Sequence, residues 1–235
     1  MKTAKWNGKN KAITFSFDDG VTQDVRFIEI LNRYGLKGTF NLNSSILGLP
    51  GTLGFGDKVV RHDKIRACDV KGVYDGHEVA VHTLTHPNLT QLDDETVVYQ
   101  VESDRQKLSE IVKYEVVGMA YPCGGVNNDD RVANIIKTRT GVKYSRTITP
   151  TYNFDMRDNL YRFDPTVHYI EGDKLFELGE RFLSLKADTP QLFYVWGHSY
   201  EMDAGHISWE RFEEFCKFIS GKSDVFYGTN KEVLL

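Results

Sequence analysis

Short β-branched and aromatic runs alternate with stretches of helical periodicity along almost the whole chain. That alternation restricts the fold more than any other property of the sequence. Residues 12–17, AITFSF, form the first apolar run and stop at Asp18-Asp19-Gly20, a turn signal. Val25, Ile28, Leu31 and Tyr34 then recur at helical spacing up to Gly35, and a second strand is predicted over 38–42. A third is predicted over 78–81. The helix that follows, 92–112, carries Val97, Val101, Leu108 and Ile111 on one stripe. Further strands are expected at 116–120, 142–145 and 192–196, with helices at 130–138, 174–185 and 208–219. Such repeated units put parallel strands inside and helices outside, as an open doubly wound sheet or a barrel. Residues 43–64 hold Gly48, Pro50, Gly51, Gly54 and Gly56 and read as an irregular surface loop, long enough to shape a substrate cleft.

No linker, internal repeat or low-complexity run divides the 235 residues, so a single domain over 1–235 is expected. With 29 Lys+Arg against 33 Asp+Glu the net charge is −4, which offers nothing to nucleic acid. No apolar stretch approaches the roughly 18 residues of a membrane span. The polar start lacks an apolar leader segment, which favours a cytoplasmic protein and otherwise leaves localisation open. Cys68, Cys123 and Cys216 are odd in number and far apart, which argues against a disulfide framework or a Cys-x-x-Cys zinc knuckle. Oligomeric state is not legible.

In parallel α/β folds the chemistry gathers at the carboxyl ends of the strands. Here those ends carry Asp18 and Asp19, then His82 and His86, then Tyr121-Pro122-Cys123-Gly124, and finally His198. Two histidines four apart can face one ion but need a third ligand, which Asp19 or Asp18 would supply. A two-His, one-carboxylate set leaves positions open for water and substrate. Adjacent strand-end carboxylates point in opposite directions, so the one not bound to metal is free to act as a general base. His198 is the matching acid.

The residues then become recognisable. TFSFDDG at 14–20, GHEVAVHTLTH at 76–86, LKGTFN at 36–41 and VWGHSYE at 195–201 resemble, in order and spacing, the polysaccharide deacetylase family, the NodB homology domain of carbohydrate esterase family 4. The resemblance implies a distorted (β/α) barrel of about seven parallel strands. It also implies removal of N-acetyl groups from an N-acetylhexosamine-containing poly- or oligosaccharide. Asp18 would be the base, His198 the acid, and Asp19, His82 and His86 the ligands of one divalent metal. Zinc is the first choice, with cobalt, nickel and manganese as alternatives. The backbone N–H of Cys123 would face the oxyanion.

The chain also departs from the family pattern. Ala120 stands where the family has an arginine beside the base, and Arg146 is the expected substitute. Asp155 and Asp164 are the candidates to orient His198. Tyr121 and Trp196 are expected to touch the sugar, and Trp196 reshapes the acyl pocket. Glu201 either lines the groove or caps a helix. His62, His77, His168 and His206 read as surface or supporting histidines, and Cys123 as a turn residue whose thiol is not a nucleophile. Three other readings share the barrel: a small-molecule amidase or ester deacetylase, a carbohydrate-binding barrel without turnover, and a purely structural barrel.

Overall fold

Strand β1 (Lys11–Asp18) buries all eight of its residues, as a strand does when it is paired on both edges and covered on both faces. The structure, a computed structural model, describes residues 5–235. Residues 1–4 of the polar start and of the expected 1–235 domain lie outside the described residues. Helix α1 (Asp24–Arg33) buries Phe27, Ile28, Ile30 and Leu31 and leads into β2 (Gly38–Leu42), which lies parallel to the second half of β1.

The 43–64 stretch corrects the expectation of an irregular loop. β3 (Thr52–Phe55) and β4 (Lys58–Arg61) form an antiparallel hairpin in it, joined by Gly56-Asp57 with Gly56 at φ 60°. A two-residue Gly-Asp turn is a hairpin signal that the surrounding glycines obscured. Next come α2 (Ala67–Val73), β5 (Glu78–Val81), α3 (Asp94–Val112), β6 (Gly118–Ala120), α4 (Asp130–Arg139) and β7 (Tyr144–Arg146). After them follow β8 (Val167–His168), α5 (Asp173–Ser184), β9 (Gln191–Gly197), α6 (Tyr200–Ala204), α7 (Trp209–Ile219), β10 (Val225–Tyr227) and α8 (Asn230–Leu234).

Seven strands run parallel in the order β7-β6-β5-β2-β1-β9-β8 and curl into a distorted barrel. β10 pairs with the first half of the β1 edge whose second half belongs to β2. The two ends of the sheet meet on one short segment. Phe163 bonds to β7 through Ser145 O (2.9 Å), and Thr166 bonds to β9 through Tyr194 O (2.8 Å). Helices cover the outside, and α7 stacks Phe212 on Phe27 of α1 with centroids 4.8 Å apart. Each such buried ring contributes on the order of 1.5–3 kcal/mol.

The barrel interior is polar along β1 and β2, unlike the branched aliphatic layers common in parallel barrels. Thr14, Ser16, Thr39 and Asn41 are all buried there. Asn230 of α8 closes the floor: it accepts from Thr14 Oγ1 (2.9 Å) and donates to Ser16 Oγ (3.1 Å) and Thr39 Oγ1 (2.8 Å). Asn41 Nδ2 continues the column upward, donating to Ser16 Oγ (3.0 Å) and to Asp18 Oδ1 (2.8 Å).

Candidate active site

At the top of β1 the chain turns sharply. Asp19 has φ 81° and Gly20 φ 61°, while Asp19 N donates to Asn41 O (3.0 Å). The left-handed conformation is costly for an aspartate, and it points the two carboxylates to different partners. His82 follows β5, and the loop after it again uses left-handed residues, Thr83 (φ 69°) and His86 (φ 65°). The His82 and His86 rings meet edge to face, with centroids 4.9 Å apart.

One ligand atom each from Asp19, His82 and His86 lies within 4.8 Å of the other two. His82 Nδ1 donates to Ala120 O (2.9 Å), which leaves Nε2 free to coordinate. Burial pushes His82 down to about 4, and His86 is also lowered by burial, so both imidazoles are neutral. Burial would raise the Asp19 carboxyl, but a bond with His62 and the Lys64 charge hold it well below the usual range. His62 Nε2 is 3.2 Å from Asp19 Oδ2, while Lys64 Nζ is 3.3 Å from Oδ1 and donates to Asp19 O (2.8 Å).

Sequence reasoning missed His62 and Lys64 as partners of Asp19. They arrive because the 62–65 segment pairs with the turn after β1 through Ile65 N to Gly20 O and Thr22 N to Asp63 O, both 2.8 Å. Asp104 was missed as well. It is fully buried on α3 and accepts from His82 N (3.2 Å) and Ser44 N (2.7 Å), fixing the backbone at His82. Its position, three after Val101 and four before Leu108, is a charge on the apolar stripe, a signal the sequence did contain.

Arg146, the expected substitute, is fully buried on β7, and its Nη2 donates to both oxygens of Asp18. Burial would raise the Asp18 carboxyl; the Arg146 guanidinium offsets this and holds it below its ordinary value. Asp18 is thus an anion with restricted orientation. His198 Nε2 is 3.9 Å from its Oδ2.

His198 stands after β9, where Gly197 is needed for a close approach: a Cβ there would lie 2.2 Å from the Tyr169 ring. The carboxylate facing His198 is neither of those expected. Asp164 accepts from Thr147 Oγ1, and Asp155 takes Gln191 Nε2 at 3.3 Å. Glu201 does the work instead, with Oε1 3.3 Å from His198 Nδ1 and Oε2 accepting from His198 N (2.9 Å). Its Oε2 also meets His168 Nε2 at 2.9 Å, so Glu201 sits between two histidines. Burial alone would lower His198, yet the Glu201 charge raises it to about 9. An imidazole in that state is protonated at neutral pH and can serve as an acid.

Cys123, with φ 71°, turns the chain beside His86; its Sγ lies 3.5 Å from His86 O. Burial pushes its thiol up, away from the thiolate a nucleophile needs. Tyr121 and Trp196 line the cleft from within its wall. Tyr121 is 1% exposed and donates its hydroxyl to Tyr161 O (2.7 Å). Trp196 is 7% exposed, with His168 stacked on it at 4.2 Å and the Arg146 guanidinium 4.7 Å from its ring. His77 bonds Asn32 and Gly38 N, away from the site, and His206 packs on Phe55.

Comparison with known proteins gives the same direction. The sequence profile described as polysaccharide deacetylase matches residues 5–144. The peptidoglycan-N-acetylglucosamine deacetylase PgdA of Listeria monocytogenes is 29% identical over 121 residues, which is 50% of this chain and 22% of that protein. The chain therefore spans about a fifth of the length of the curated relative it matches. Among solved structures, peptidoglycan deacetylase PdaC from Bacillus subtilis is 16% identical, with a TM-score of 0.53 over 95% of this chain and 90% of that one. The Streptococcus pyogenes deacetylase PplD in complex with acetate is 19% identical, with a TM-score of 0.52 over 63% and 61%. At these identities the structural likeness establishes the fold.

Proposed function

The chain belongs to the polysaccharide deacetylase family, and we propose that it is a metal-dependent hydrolase removing N-acetyl groups from an N-acetylhexosamine-containing poly- or oligosaccharide. The observation that carries this reading is the convergence of Asp19, His82 and His86 within 4.8 Å, with Asp18 and His198 beside them at the strand ends. Two neutral imidazoles and one carboxylate suit a first-row divalent ion, zinc first and cobalt, nickel or manganese otherwise. When bound, such an ion supplies Lewis acidity toward water and an amide carbonyl.

The chain's own residues supply the rest. Asp18, kept anionic by Arg146, takes the proton from the attacking water. The Cys123 N–H is the donor assigned to the tetrahedral oxyanion. His198, charged through Glu201, hands a proton to the departing nitrogen, which would otherwise leave as an amide anion. Glu201 holds the His198 backbone N–H and, with Oε1 3.3 Å from Nδ1, keeps the ring protonated.

Metal-stripped protein should release acetate from N-acetylglucosamine oligomers only after zinc, cobalt, nickel or manganese is restored, and Asp18→Asn should abolish that release. Metal binding and oligomer binding with no acetate from any preparation would sink the hydrolase reading and favour a carbohydrate-binding barrel.

A further inference from the structure

The ligand cluster is flanked by two cavities. The one holding Asp18, Cys123, Trp196 and His198 is about 270 Å³ and mixed in character. A larger one, about 410 Å³, opens on the other side of Asp19 and His86. Its far wall is aliphatic: Ile46, Leu49, Pro50 and Leu53, all from the 43–64 stretch. None of the four is buried, and Leu49 is 52% exposed.

This wall is built, not draped. Gly48 N bonds Ile65 O (3.0 Å), Lys64 N bonds Leu49 O (2.9 Å) and His62 N bonds Gly51 O (2.8 Å). The same segment is fixed to the turn carrying Asp19 by the two 2.8 Å bonds described above. The polar lining on the near side is small: His62 Nε2 and Lys64 Nζ are engaged with Asp19, and Tyr200 and His86 are the other polar side chains there. A sugar ring seated here would exchange hydrogen bonds to water for few from the protein, which costs affinity. Half-exposed aliphatic side chains held rigidly against a metal-ligand cluster instead suit an apolar group.

We infer that this cavity is a substrate subsite for an aliphatic group carried next to the scissile amide, on either its acyl or its amine side. The inference rests on the deacetylase reading above and deepens it: among N-acylated sugars, those that also carry an aliphatic group beside the scissile amide are turned over in preference to the bare N-acetylated glycan. The cavity's volume of about 410 Å³ falls within the range of small-molecule pockets.

Two substrate series separate the two sources of the group. One extends the N-acyl chain of glucosamine from acetyl to octanoyl; the other extends the alkyl group of N-acetylglucosamine β-glycosides from methyl to octyl. With the metal-reconstituted protein, kcat/KM should rise about three- to fourfold per buried methylene in one series, and that gain should fall below about twofold in Leu49→Asn and Leu53→Asn. The series that shows the gain identifies the side. Turnover of the acetylated parents with a flat or falling trend in both series overturns the inference and leaves the deacylase reading standing. If no member is turned over and N-acetylglucosamine oligomers release no acetate, that reading fails, and calorimetric binding of the longest against the shortest member of each series decides the subsite alone. Tighter binding of either long member that is lost in Leu49→Asn supports it, and equal binding in both series overturns it.

Discussion

Asp18 and Glu78 are two buried carboxylates at opposite ends of one polar column, and they hold their protons differently. Asp18 faces a guanidinium and is lowered despite burial. The donors that bond Glu78 are all neutral, Thr39 Oγ1 (2.8 Å), Tyr144 OH (2.8 Å) and Lys231 N (2.9 Å), and the Lys231 charge acts only weakly from farther off. Burial raises it. The two carboxylates share a burial state and a network, so burial does not set their charge; a cation at contact distance does. The upper end of the barrel is thereby an anion ready to accept a proton, and the lower end is a hydrogen-bonded plug.

Removing the cation breaks this contrast most severely. Arg146→Met leaves Asp18 buried without its partner and should cost about 3–5 kcal/mol, read by urea unfolding with a chelator present. The pH slope should also reverse. A lowered carboxyl contributes stability above its unfolded value of about 3.9 and loses it as pH falls through the lower folded value. In Arg146→Met the Asp18 carboxyl should behave like Glu78, losing stability as pH rises from about 4. An unchanged slope would show that Arg146 does not set the charge of Asp18.

Asp19 extends the contrast to a carboxylate held by Lys64 and His62. His62→Ala should weaken divalent-ion affinity roughly 10- to 100-fold by calorimetry; unchanged affinity would reduce His62 to a bystander. Glu201→Gln tests the partner of His198. His198 at about 9 implies activity lost on the alkaline side near that value, and the variant's alkaline limb should move toward the ordinary histidine value of about 6.5. The smallest effect belongs to the plug. Glu78→Gln should cost about 1 kcal/mol at low pH. A raised carboxyl loses stability as pH climbs from its unfolded value of about 4.3 to its folded one, and the variant should lack that loss. If Glu78→Gln instead equals Arg146→Met in cost, the difference between the two ends is not one of charge.

The strand-end residues were legible because each follows its own apolar run, and Arg146 because Ala120 leaves a gap that some basic residue must fill. The fold was legible through the same alternation, with strand ends displaced by one or two residues. What stayed hidden depends on contacts between distant segments or on local torsions. His62 meets Asp19 across 43 residues, through a pairing between the 62–65 segment and the β1 turn. Glu201 is three residues from His198 and in plain view, but only the short α6 turn aims its carboxylate back at the ring. Short edge elements such as β8 and β10 carry too few residues to show a period.

The plug at the floor also sets an order of events. Asn230 meets Thr14 across 216 residues of chain, so the hydroxyls of β1 cannot find their final partners until α8 has been made. Until α8 leaves the ribosome, the inner face of the earliest strand must stay wetted or be sheltered by something else. A barrel finished from its far end cannot mature strand by strand, and its slow step should be the late seating of α8 on a sheet whose pairings were already non-local.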